Sequence, residues 1–222
     1  MIKLTTQQLA QILNANLIGD EQVIVENINT DTRKTVSNSL FFALKGEHFD
    51  AHQYLDKAVE QGATALVVQE ANTEIATPQL VVADTRLALG QLAKWLREKI
   101  NPRTVAMTGS SGKTTVKEMT ASILQQTAGN PEAVLFTNGN FNNDIGVPLT
   151  LLRLTEQHKF AVIELGANHQ VEIDYTTHLA QPEAALVNNV AAAHLEGFGS
   201  IEGLSLITIS EPTRQAENLF AV

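Results

Sequence analysis

Apolar and polar positions alternate in two different styles along this chain. In the first hundred residues, short apolar runs at 40–44 (LFFAL), 65–69 (ALVVQ) and 80–83 (LVVA) have the length and composition of strands. Residues 5–13 (TTQQLAQIL) predict a short helix with a Thr N-cap, and residues 51–61 an amphipathic helical segment closed by Gly62. Residues 85–100 predict a longer amphipathic helix, with Leu87, Leu89, Leu92, Leu96 and Ile100 available for its buried side. Asn101-Pro102 ends that helix and marks a domain boundary. Beyond it, strand runs at 104–108, 134–136, 160–165 and 184–190 alternate with helical segments, among them Lys113 to about Gln126 and Val147 to Leu154. That alternation implies a parallel sheet covered on both faces, with ligands at the carboxyl ends of its strands. The fold class is therefore α/β: a small mixed α/β domain over 1–100, then a parallel α/β domain over 101–222.

Composition narrows the chemistry. The chain has 222 residues, 44% hydrophobic and 18% charged, enough to bury a sizeable core. Lys and Arg number 15 against 24 Asp and Glu, a formal charge of −9 without a basic run, which argues against nucleic acid or an anionic membrane surface as partner. There is no cysteine, so disulfides and Cys-ligated zinc are excluded. The N-terminus lacks the apolar core of a signal peptide, and no apolar stretch approaches the roughly 18 residues of a membrane span. A cytoplasmic location is expected.

The most specific chemical signal is TGSSGKTT, Thr108 to Thr115, between an apolar strand and a helix. Glycines let the backbone curl so that several N–H groups face one anion, and the helix N-terminus adds its positive dipole end. Gly109, Ser110, Ser111 and Gly112 form the turn, followed by Lys113 for the β/γ-phosphates, Thr114 for Mg²⁺, and Thr115. The common pattern G-x-x-x-x-G-K-[ST] would place glycine at 107, where this chain has Met107. A second segment, TNGNFNNDIGVP (137–148), offers the amides of Asn140, Asn142 and Asn143 to a ligand, although an Asn-rich turn with local caps reads the same way. In VIELGANH (162–169), Glu164 ends a buried strand where a carboxylate could face a metal, or simply meet solvent. In NNVAAAHLEGFGS (188–200), His194 follows a strand run. Thr114, Glu164 and His194 thus fall at strand ends of one parallel sheet. In the first domain Asp31, Thr32 and Arg33 precede a strand and Lys45 follows it, a polar site for an anionic group or a solvated turn pair.

Taken together, TDTR…LFFALKGEHFDAH, TGSSGKTTVKEM, GNFNNDIGVPLTLL, VIELGANH and NNVAAAHLEGFGS resemble the Mur ligases of bacterial cell-wall synthesis, from about residue 2 to residue 203. Among them the match is to the branch that joins D-alanyl-D-alanine to a UDP-N-acetylmuramoyl-tripeptide. The resemblance implies a UDP-sugar-binding domain at 1–100 and part of a P-loop-type ATPase domain from 101. It implies that Gly109 to Thr115, with Asn140, hold ATP, and that Thr114, Glu164 and His194 are Mg²⁺ ligands. Lys113, Glu164 and His194 would carry the catalysis, Asn142 and Asn143 would line the substrate site, and Asp31, Thr32, Arg33 and Lys45 would lie near the uridine and its phosphates. ATP and Mg²⁺ are the implied cofactors, the UDP-muramoyl-tripeptide and D-alanyl-D-alanine the partners, and a monomer the implied state. The implied reaction activates the tripeptide carboxylate as an acyl phosphate, which the dipeptide amine then attacks.

The strand that would carry a Walker B Asp ends in Glu164, which, with the matching first domain, argues against an unrelated P-loop ATPase or kinase. The ending departs from the family. After Gly203 the family's Lys-rich helix, with its carbamylated metal-bridging lysine, has no counterpart, and no lysine follows Lys159. The expectation is a divergent tail over 204–222, no C-terminal ligase domain, and no full turnover from this chain alone. A fragment that binds the UDP-muramoyl-peptide, and ATP weakly, is the alternative.

Overall fold

The computed structural model describes residues 3–166 and 172–189. It divides into two compact units, Met1–Leu92 and Ala93–Val222.

The first unit carries β1 (Leu4–Thr5), α1 (Thr6–Leu13), β2 (Asn16–Ile18), β3 (Ile24–Val25), β4 (Asn27–Asn29) and β5 (Ser39–Phe42). A 3-10 turn (Ala51–Tyr54) then leads into α2 (Leu55–Glu60), β6 (Ala63–Val68) and β7 (Gln79–Val81). The helix α1 starts where its sequence dictates: the Thr5 hydroxyl accepts the Gln8 N–H at 3.2 Å and the Gln8 side chain accepts the Thr5 N–H at 2.9 Å. The main sheet runs β2-β7-β6-β5-β4, parallel except where β2 pairs antiparallel with β7. Phe41 and Leu66, cross-strand partners, pack with Val68 against Leu55 and Ala58 of α2. Leu40, Phe42 and Val67 alternate to the opposite face and are equally buried. Burial on both faces is why these strands read as unbroken apolar runs.

A single helix, α3 (Thr85–Ile100), contains the division between the units, at Leu92–Ala93. Leu89, Leu92 and Leu96 are fully buried, but Leu87 is 59% exposed, contrary to the sequence expectation. Two residues before Leu89, it sits about 200° around the helix, on the opposite side. Ala88 and Ala93 complete the buried stripe.

The second unit contains β8 (Arg103–Thr108), α4 (Lys113–Ala128), a 3-10 turn (Pro131–Ala133) and β9 (Val134–Phe136). These are followed by α5 (Gly146–Leu151), β10 (Phe160–Glu164), α6 (Glu172–Ala180) and β11 (Ala184–Val187). The strands form a parallel sheet in the order β11-β8-β10-β9. Ala121 of α4 packs on Met107, Val134 and Val162. Arg97 is buried, its guanidinium donating to the carbonyls of Ala180 and Gln181, both at 2.8 Å, at the carboxyl end of α6. A cation there complements the helix dipole and satisfies orphan carbonyls. The divergent tail over 204–222 lies outside the described residues.

One charge is buried more completely still. Lys117 of α4 is 0% exposed, and its ammonium donates to the Thr137 carbonyl at 2.7 Å and pairs with Glu118 at 2.9 Å. Its stem fills core volume and its head satisfies the carbonyl that follows β9. Lys117→Ala is expected to cost about 2–4 kcal/mol in urea unfolding, from the lost stem and the orphaned carbonyl. Lys117→Met, which keeps the stem, is expected to cost less than about 1.5 kcal/mol. Equal losses from the two variants would contradict this division of labour.

Candidate functional site

Parallel pairing brings the chemistry of the second unit to one edge. Glu164 lies beside Met107 in the register of β10 and β8, so the residues that follow both strands emerge together. Met107, where a longer phosphate loop has glycine, is instead a buried strand residue whose carbonyl accepts the Leu165 N–H at 2.8 Å. The turn begins at Gly109 and α4 begins at Lys113. Lys113 folds back, its ammonium donating to the Gly109 carbonyl at 2.6 Å. Thr114 and Thr115 stand in the first turn of α4, where backbone N–H groups have no intrahelical acceptor.

Glu164 is 2% exposed, and three neighbours define its place. The Thr114 hydroxyl donates to Oε2 at 3.1 Å and the Asn142 amide to Oε1 at 2.8 Å. Its own backbone N–H donates to the Thr137 hydroxyl at 3.0 Å. The 137–148 segment is therefore a built part of the site. The three asparagines differ, however. Asn142 reaches Glu164, and its carbonyl accepts the Gly166 N–H at 2.7 Å. Asn143 turns to its own chain, its side chain accepting the Gly146 N–H at 2.8 Å and its carbonyl the Val147 N–H at 2.9 Å, both at the start of α5. Asn140 is exposed and offers its carbonyl to the Asn142 N–H at 2.8 Å. His194 lies outside the described residues. Among the described residues, no group of three or more His, Cys, Asp or Glu side chains converges as a metal site.

In the first unit, the Asp31 carboxylate accepts from Arg33 at three points: the backbone N–H at 3.0 Å and the guanidinium at 2.8 and 2.9 Å. These bonds hold the Asp31 carboxyl down at about 2. Asp31, Thr32 and Arg33 line a cleft of about 470 Å³ together with Phe41, Phe49, Tyr54 and Lys57. Phe49 and Tyr54 are stacked, with centroids 5.5 Å apart and planes 12° from parallel, yet 55% and 40% exposed.

Lys45 does not join Arg33 there. It faces Asp50 at 3.6 Å, across a tight turn in which the Gly46 N–H donates to the Phe49 carbonyl at 2.8 Å. It lines a separate cleft of about 450 Å³ with His52, Gln69, Glu70 and Glu74. His52 accepts the Gln69 N–H on Nε2 at 2.9 Å, so Nδ1 carries the proton donated to Asp50 at 2.6 Å. The His52 backbone N–H, bonded to the same carboxylate, is the main reason Asp50 titrates below the usual carboxylate range. Sequence reading missed Phe49 and Tyr54, whose only signal is two aromatics within a polar stretch. It also passed over Lys117 and Thr137, and the Asn188-Asn189 pair that directly follows β11.

The profile of the Mur ligase middle domain matches residues 107–206, and that of the Mur ligase family catalytic domain matches residues 24–96. The chain is 81% identical over 204 residues to the UDP-N-acetylmuramoyl-tripeptide–D-alanyl-D-alanine ligase of Haemophilus influenzae, covering 92% of this chain and 45% of that protein. A crystal structure of MurF from Acinetobacter baumannii superposes with a TM-score of 0.87 at 45% identity, covering 93% of this chain and 45% of that one. The MurF ligase of Thermotoga maritima, solved in complex with ADP, gives 0.75 at 29% identity, covering 83% of this chain and 42% of that one. The chain thus spans a little under half the length of the relatives it matches. Residues 24–96 and 107–206 both match Mur ligase domains, together most of the chain, and the chain belongs to the Mur ligase family.

Proposed function

We propose that this chain carries the UDP-substrate and phosphate-binding parts of an ATP-dependent ligase that joins D-alanyl-D-alanine to UDP-N-acetylmuramoyl-tripeptide. The observation that supports it most is the juxtaposition of Lys113, Thr114 and Glu164 at the carboxyl edge of a parallel sheet. Gly109 to Thr115 present backbone donors and one cation to the ATP phosphates. The tripeptide carboxylate attacks the γ-phosphorus, the bond to the bridging oxygen breaks, and ADP leaves with an acyl phosphate formed. The dipeptide amine then attacks the acyl carbon, phosphate departs, and the amine gives up a proton as the amide forms. Both reactants of the first step are anions, so neutralising charge matters more than covalent help. Thr114 and Glu164 offer hard oxygen donors 3.1 Å apart, a set that suits Mg²⁺, which would supply further neutralisation when bound. His194 is the proposed third ligand. Asn142 positions Glu164 from its other oxygen. Nucleotide substrates of this kind imply work in the cytoplasm.

For the UDP end, the cleft lined by Asp31 to Arg33 is the proposed seat. The stacked Phe49–Tyr54 pair offers a planar apolar surface to a uracil ring, and Arg33 and Lys57 offer charge to a diphosphate. Lys45 is the proposed contact of a more distant part of the same substrate.

Isothermal titration of the 222-residue chain with UDP-N-acetylmuramoyl-tripeptide and with Mg²⁺–ATP tests the assignment. Both ligands are expected to bind. Lys113→Ala is expected to weaken ATP by roughly 10- to 100-fold, since a charge-assisted contact to phosphate is lost, while the UDP substrate binds as before. Equal ATP affinity in the variant would remove Lys113 from the site. In the other cleft, Phe49→Ala should weaken UDP binding by roughly tenfold and leave ATP unaffected. An NMR titration should place the Asp31 midpoint at about 2 and move it toward the ordinary 3.8 in Arg33→Ala. Because the folded value is depressed, what the pair contributes to stability is complete above about pH 4 and lost as the pH falls through about 2.

A further inference from the structure

The end of β11 meets the phosphate loop in a way that the ligase chemistry above does not use. Asn188 and Asn189, the two residues after the strand, hold all three polar groups of Ser111. The Ser111 N–H donates to the Asn189 side-chain oxygen at 2.9 Å, and the Ser111 carbonyl accepts from the Asn188 amide at 2.6 Å. The Ser111 hydroxyl accepts from the Asn189 amide at 2.9 Å. Backbone bonds frame the same contact: the Asn188 N–H donates to the Thr108 carbonyl at 2.8 Å, and the Ser110 N–H to the Asn189 carbonyl at 3.0 Å.

The glycines of the loop are explained by the same two residues. Gly109 and Gly112 have φ of +142° and +74°, a region that side chains avoid. A Cβ on Gly109 would stand 2.9 Å from the Asn189 nitrogen and 3.0 Å from its carbonyl oxygen, and a Cβ on Gly112 would stand 2.6 Å from the Asn188 side-chain nitrogen. The loop is therefore moulded against the end of β11. Its curvature is set from outside the motif, by two amides acting on the residue that precedes Gly112 and Lys113.

We propose that Asn188 and Asn189 are positioning residues that staple the phosphate loop into its anion-binding curvature before any nucleotide arrives. This rests on the reading that the loop receives the ATP phosphates. A free loop with two left-handed positions would have to be ordered by its ligand, and that ordering lowers affinity. The staple removes the cost in advance. Asn189 engages two loop donors, the Ser111 N–H through its side chain and the Ser110 N–H through its carbonyl, and leaves the first-turn donors of α4, from Lys113 to Thr115, beyond its reach. An Asn189 amide that merely blocked the loop would have the opposite consequence: its removal would strengthen phosphate binding.

The sign is what the experiment reads. The 222-residue chain and its Asn189→Ala and Asn188→Ala variants are titrated with Mg²⁺–ATP and with tripolyphosphate, which reports on the loop without adenine contacts. Hydrogen exchange at the Ser111 amide and the melting temperature are measured alongside. Asn189→Ala is expected to bind both ligands roughly five- to tenfold more weakly, with faster Ser111 exchange, an unchanged melting temperature and unchanged affinity for the UDP substrate. Asn188→Ala, which loses one bond and keeps the Asn189 cap on the Ser111 N–H, is expected to show a smaller loss in the same direction. Equal or tighter phosphate binding in Asn189→Ala overturns the staple, as does weakening matched by a lowered melting temperature in both variants. If the unsubstituted chain binds neither ATP nor tripolyphosphate, the nucleotide reading itself fails, and the staple with it.

Discussion

The parallel register that sets Glu164 of β10 beside Met107 of β8 is the constraint on which the site depends. Parallel strands run out at the same edge of a sheet, so the segments that follow them must share one space. The turn from Gly109 to Gly112 follows β8, Leu165 and Gly166 follow β10, and Asn188 and Asn189 follow β11. A shift of one residue in the pairing of β10 would turn Glu164 to the other face of the sheet and separate it from Thr114. The apolar interior of the strands is what prevents such a shift. Met107, Val134 and Val162 pack under α4 on one face, and the alternating residues Ala106, Leu135, Ala161 and Ile163 are buried on the other.

Around this frame, the buried polar groups divide according to how tightly they are held. Glu164 has donors on both oxygens, and Thr137 serves twice, through its carbonyl to Lys117 and through its hydroxyl to the Glu164 backbone. Removing one donor from such a buried arrangement leaves a polar group unpaired away from water, at about 1–3 kcal/mol. The Asp31–Arg33 pair is different. The Arg33 side chain is 84% exposed, so despite its short bonds the pair adds little to stability. The first kind of contact fixes where chemistry can occur, and the second can be rearranged by a ligand at little cost.

Much of this was legible in the sequence. The helix start at Thr5, the helix over 85–100, the strand–turn–helix around Lys113 and the parallel alternation of the second unit each rest on local pattern, and local pattern suffices for them. What sequence could not reveal depends on tertiary position. Leu87 joins a leucine-rich helix yet faces away, because the angle around the axis and not the residue type decides burial. Arg33 and Lys45 flank the same strand and are both cationic, but the turn at 46–49 directs them to separate clefts. Asn143 and Asn142 are neighbours with identical side chains, and one accepts the Gly146 N–H while the other reaches Glu164. Asn188 and Asn189 carry no signal until β11 is paired to β8, some eighty residues earlier in the chain.

The cations of both units are held in the same way. Lys113 rests on the Gly109 carbonyl, Arg33 on Asp31 and Lys45 near Asp50. Under the proposed function, a ligand phosphate would exchange one partner for another at each cation and would not meet a bare charge. Exchange lowers the net gain from each contact, since a protein hydrogen bond is surrendered as the new one forms. It also keeps the cations from clamping on any passing anion in a chain whose net charge is already −9. In that reading selectivity would fall to shape: the spacing of loop amides along α4 for a polyphosphate, and the Phe49–Tyr54 stack for a planar base.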